Sequence, residues 1–100
     1  MSLTEKVYSR LYEVIDPELN INIVDLGLIY DVTISTANDV SIIMTLTTPG
    51  CPLHDSIVNG VKHVIEQLGE VHTVNVQLVW EPAWTPQRMS QRALQTLQGI

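Results

Sequence analysis

Phenylalanine is absent from this chain, and cysteine occurs once. With only Tyr8, Tyr12, Tyr30, Trp80 and Trp84 as aromatics, Val, Ile and Leu must supply most of any core. A lone cysteine excludes an internal disulfide, fits a reducing compartment and leaves Cys51 as a free thiol. No uninterrupted apolar run exceeds three residues, as in Leu28-Ile29-Tyr30, which excludes a helix that crosses a bilayer. Positive charge is scarce as well: five Lys and Arg face eleven Asp and Glu, for a net charge of −6. Nucleic-acid phosphates and anionic lipid need a basic surface, so neither is an expected partner. The first ten residues mix Ser, Thr, Glu, Lys and Arg, without the basic start and apolar stretch of a secretory signal, so a cytoplasmic location is expected.

What is present is globular. Hydrophobic residues make up 45% of the chain and charged residues 16%, and 100 residues suffice for one core, so residues 1–100 are read as one domain. Ser2 and Glu5 have the spacing of a capping box, and Leu3, Val7, Leu11 and Val14 form one helical face that should run to Asp16-Pro17. Residues 17–27 mix turn formers (Asn20, Asn22, Asp25, Gly27) with apolar side chains and read as an ordered loop packed on the core. Alternation then predicts strands over 28–36 and 39–47, joined as a hairpin, and a third over 71–80 with Val74, Val76, Leu78 and Trp80 inward. Leu53, Ile57, Val61, Val64, Ile65 and Leu68 predict a second helix ended by Gly69. Thr85 before Pro86 is the expected cap of a short last helix carrying Met89, Ala93, Leu94 and Leu97. Strands with one apolar face each imply an α/β fold of the α+β type: a compact two-layer sandwich, with a three-stranded sheet and helices on one face.

The chemistry concentrates in Thr47-Thr48-Pro49-Gly50-Cys51-Pro52. Pro52 suits the first position of a helix, which makes Cys51 the cap residue, facing free amides and the positive end of the helix dipole. That setting lowers a thiol pKa, and His54, three residues on, adds to the effect when protonated. Against this stands the plainer reading of Cys51 as a small buried hydrophobe and of His54 as a surface residue. Two prolines and a glycine around one reactive atom favour function for Cys51, whereas His54 taken alone is more readily structural. Asp16 and Glu18 flank Pro17 as paired carboxylates of the kind that serve acid–base chemistry or bind metal, although on a surface turn such groups are more often solvated or capping. Asp25 is expected to bond loop amides in a turn. Trp80 continues an inward series and should be core, while Trp84 breaks the alternation and would suit a partner contact if exposed. A single thiol also falls short of the four cysteine-rich ligands usual for zinc or an iron–sulfur cluster.

Four segments together carry a resemblance: Asp16-Pro17-Glu18-Leu19, then Asn22-Ile23-Val24-Asp25-Leu26-Gly27-Leu28-Ile29-Tyr30, then Thr47-Thr48-Pro49-Gly50-Cys51-Pro52, then Val79-Trp80-Glu81-Pro82-Ala83-Trp84. In that order and spacing the chain resembles the PaaD-like, SufT-like family of iron–sulfur cluster assembly domains. The resemblance implies a compact α/β fold and a role in maturing iron–sulfur proteins, with Cys51 as the functional centre. Asp16 and Glu18 would line the same region; Thr48, His54 and Trp84 are further candidates to line the site. Relatives of the phenylacetate-pathway type carry a cysteine-rich tail; no cysteine follows Cys51 here, which points away from that subtype.

The expected function is therefore a non-enzymatic assembly or maturation factor, a carrier or adapter that works through Cys51 with scaffold or client proteins. The monomer should bind no cofactor stably. A cluster held transiently would take Cys51 as a ligand shared between chains, an arrangement open to a homodimer. The alternatives are a thiol redox protein, which would need a resolving cysteine from a partner, and a pure interaction module in which Cys51 is structural.

Overall fold

The computed structural model describes residues 2–17, 19–47 and 54–97. The elements run α1 (Leu3–Leu11), β1 (Ile15–Asp16), β2 (Ile21–Asn22), β3 (Ile29–Ile34), β4 (Asp39–Met44), α2 (His54–Glu66), β5 (Thr73–Leu78) and α3 (Gln91–Leu97). The Ser2 hydroxyl accepts the Glu5 backbone N–H at 3.1 Å and lies 3.2 Å from its carboxylate, so the expected cap starts α1. Val7 and Leu11 on its inner face are fully buried. The helix stops at Leu11 rather than running to Pro17. Residues 15 and 16 extend instead to pair antiparallel with 22 and 21, which gives the first part of the expected loop a small hairpin of its own.

The three-stranded sheet has the order β3-β4-β5. β3 and β4 form the expected antiparallel hairpin, turned at Asn38 (φ 63°), while β5 returns through α2 to lie parallel to β4. Register places Val32, Ile42 and Val76 in one row and Thr33, Ser41 and Asn75 in another, on opposite faces. The first face packs beneath Ile57, Val61 and Ile65 of α2 together with Val7 and Leu11 of α1. The second carries the exposed Asp31, Thr33, Asn75 and Gln77. The two-layer sandwich is thus the one its alternating strands imply.

Three local readings are corrected. α2 ends at Glu66, before Gly69. Trp80 is 40% exposed, because the ladder closes with the Val79 N–H donating to Met44 O at 2.8 Å and leaves Trp80 beyond its last neighbour. The last helix is capped by Ser90, whose hydroxyl accepts the Ala93 N–H at 3.1 Å, while Thr85 precedes a separate 3-10 turn over Pro86–Arg88 and makes no side-chain cap bond.

That C-terminal segment is a strap across residues 25–30. The Trp84 indole N–H donates to Leu26 O at 2.6 Å, the Tyr30 hydroxyl donates to Pro82 O at 2.7 Å, and the Arg88 guanidinium lies 4.6 Å over the Tyr30 ring. The strap passes so close to Gly27 (φ +77°) that a Cβ there would sit 2.2 Å from the Arg88 carbonyl oxygen.

Candidate functional site

β4 ends at Met44 and α2 opens at His54, so the chain between them crosses from sheet to helix as the sequence implies. Cys51 and Thr48 fall in that interval, and both of them, like Glu18, lie outside the described residues. His54 is the first residue of α2, and its side chain is likewise outside them. The approach to the interval is buried: Thr45 is 0% and Leu46 3% exposed, and the Thr45 N–H is tied to Leu28 O at 2.9 Å. The Thr45 hydroxyl has no hydrogen-bond partner among the described residues. Asp55 adds a carboxylate in the first turn of α2, where the dipole favours it.

Asp16 is not a solvated surface acid. It is 3% exposed, its Oδ1 accepts the Leu19 N–H at 3.2 Å, and its carbonyl accepts the Asn20 N–H at 2.7 Å. The carboxylate thereby shapes a turn that Asn20 completes at φ 58°. A groove of about 280 Å³ runs between this turn and α2, lined by Val14, Ile15 and Pro17 on one side and Ser56, Ile57 and Val64 on the other. The Asp16-Pro17 turn and the first turns of the helix after Cys51 are therefore neighbours, although 38 positions separate Pro17 from Asp55 in the sequence. Trp84 does not join them as a free aromatic; it is partly buried against the core and anchored at Leu26.

An arrangement not read from the sequence surrounds Asp25. Asn22 accepts the Asp25 N–H at its Oδ1 (2.8 Å) and donates to the Asp25 carboxylate from its Nδ2 (2.7 Å), so the two side chains tie the turn together. The carboxylate also takes Arg92 through Nε at 3.1 Å and through the terminal guanidinium nitrogen. Burial pushes this carboxyl up, but hydrogen bonds from Arg92, Asn22 and Ser90, together with the Arg92 charge, bring it below its ordinary value.

A folded-state pKa below the unfolded one adds stability that is present above the unfolded pKa and lost as pH falls through the folded one. Arg92→Ala is accordingly expected to lower the urea midpoint at pH 7, with the gap to the unmodified protein narrowing as pH falls below about 4. Equal midpoints at neutral pH would remove Asp25–Arg92 from the stabilising interactions. The only sequence signal for this pair is that both residues are chargeable, and nothing local links positions 67 apart.

A model of the iron–sulfur cluster assembly protein family matches residues 4–78. The chain belongs to this family. Within it, the chain is similar to the Fe-S protein maturation auxiliary factor YitW of Bacillus subtilis (strain 168), 45% identical over 92 residues that span 92% of this chain and 90% of that one. It is likewise similar to the Fe-S protein maturation auxiliary factor SufT of Staphylococcus aureus (strain USA300), 44% identical across 80% of this chain and 91% of that one. The crystal structure of a domain of unknown function, DUF59, from Bacillus anthracis superposes with a TM-score of 0.92 at 44% identity, covering 96% of this chain and 92% of that one. The match to the family model takes in Asp16, Asp25, Gly27 and the Cys51 interval, and stops before the strap with Trp84, Arg88 and Arg92.

Proposed function

We propose that this chain is a maturation factor for iron–sulfur proteins, acting as a carrier or adapter rather than as a catalyst. One observation carries the reading: likeness across nearly the whole chain to proteins named Fe-S protein maturation auxiliary factors. In this reading the Cys51 thiolate is the working atom. A soft iron centre prefers thiolate to the oxygen donors that dominate this acidic surface. Since clusters usually take four protein ligands and this chain offers one cysteine, cluster material as cargo is held between Cys51 and ligands of a second chain, a scaffold or a client. Asp16, buried in a turn beside α2, holds the neighbouring backbone in place and is not a ligand. The work takes place in the cytoplasm. Among the described residues no helix is long and apolar enough to cross a membrane.

Deleting the gene should lower aconitase-type activity in cell extracts while aconitase protein stays constant, and a plasmid copy should restore it. Incubating the extract with iron, sulfide and reductant should recover the missing activity without the plasmid, which locates the defect in cluster supply. Unchanged activity in the deletion strain under both iron-replete and iron-poor growth would refute the proposal.

A further inference from the structure

We propose that the free edge of β5 is a self-pairing surface, on which two copies of this chain join their sheets antiparallel about a two-fold axis at Val76. The inference stands apart from the reading of Cys51.

The direction of the backbone groups follows from two bonds. In β4, Asp39 uses its carbonyl to accept the Ser35 N–H at 3.0 Å, so odd-numbered β4 residues serve β3 and even-numbered ones serve β5. In β5, the Val79 N–H goes to Met44 O, so Asn75 and Gln77 face β4, while Val74, Val76 and Leu78 aim their N–H and C=O groups at the open edge. Among the described residues, no backbone bond is recorded from those three to anything beyond the sheet.

The two edges of the sheet are built differently. β3 carries a register shift between Ile29 and Asp31, and Asp31 is exposed, both of which discourage strand addition. β5 reads Thr73-Val74-Asn75-Val76-Gln77-Leu78, with no charge, no proline and no recorded shift in its pairing. Two copies of a chain of net charge −6 therefore meet here without setting like charges face to face.

The strand is also its own complement. Centred on Val76, antiparallel pairing sets Val76 against Val76 and Val74 against Leu78 twice, about six hydrogen bonds in all. Each apolar residue meets an apolar one on the helix-covered face, and Asn75 meets Gln77 on the polar face.

Sedimentation equilibrium of the full chain should show mass rising from one chain to two with concentration. The dimer should tighten with added salt, because the net charges repel and salt screens them. The double variant Asn75→Lys with Gln77→Lys sets lysines opposite one another twice and should weaken the dimer about tenfold. Asn75→Lys with Gln77→Glu should restore it. Val76→Pro removes an outward-facing N–H without touching the β4 ladder, so it should leave a folded monomer by circular dichroism. A wild-type mass of one chain at every concentration overturns the proposal. So does a dimer that the lysine pair and the Lys–Glu pair affect alike.

Discussion

Cys51→Ser is expected to leave the fold nearly intact and abolish support of iron–sulfur enzymes in cells. Serine matches cysteine closely in volume and caps a helix at least as well, so the folding cost should be about 1 kcal/mol or less. Its hydroxyl stays un-ionised near neutral pH and is a poor ligand for soft iron, so thiolate chemistry is lost entirely. Thermal melting and circular dichroism report the fold, and complementation of the deletion strain, read as aconitase-type activity, reports the function. A folded Cys51→Ser protein with full activity would eliminate Cys51 as the working group and shift attention to the Asp16 turn and the groove beside α2.

Gly27→Ala is expected to be the most damaging glycine-to-alanine change among Gly27, Gly60 and Gly69. Its φ of +77° is a conformation that alanine adopts at a cost of about 1–2 kcal/mol. The added Cβ would also meet the Arg88 carbonyl oxygen at 2.2 Å and its carbon at 2.7 Å. Both are backbone atoms, so no rotamer change relieves the overlap; the strap itself must lift. Lifting it strains the Trp84 bond to Leu26 and the Ser90 N–H bond to Asp25 O. Together these should cost on the order of 3–5 kcal/mol, enough to threaten a small domain. Gly60→Ala is the control. It lies in α2 with its nearest Cβ neighbour, Val14 Cγ1, at 3.8 Å, and should stabilise by up to about 1 kcal/mol. Urea denaturation of both variants checks the contrast, and a Gly27→Ala protein as stable as Gly60→Ala would show that the strap does not hold this loop.

Elements governed by short-range periodicity were legible in the sequence. The three strands lie within the predicted ranges because their alternation maps directly onto one buried face, and the Ser2 cap is a contact three residues long. Family and fold class were readable from motif order. What escaped depended on chain-distant geometry. Trp80 and Trp84 exchanged expected roles because alternation continues on paper past Leu78, while the sheet ends where β4 has no further residue to offer. Gly27 looked like an ordinary turn former, and only the passage of residue 88 beside it shows why a side chain is excluded. The Asp25–Arg92 pair shares no local signature at all. Of the candidate site, the burial of Asp16 and its closeness to α2 became visible only when the β1–β2 hairpin folded the turn inward.

The parallel β4–β5 pairing also bears on the order in which the molecule assembles. The β3–β4 hairpin closes over a few residues, whereas Asp39 meets Thr73, 34 positions later, only once α2 has formed and crossed the sheet. The strap contacts come later still, since Leu26 waits for Trp84 and Asp25 for Arg92. On the ribosome the loop around Gly27 is thus made early and completed last. Until residues 84–92 emerge, the Asp25 carboxylate lacks its arginine, and the loop around Gly27 waits on its strap.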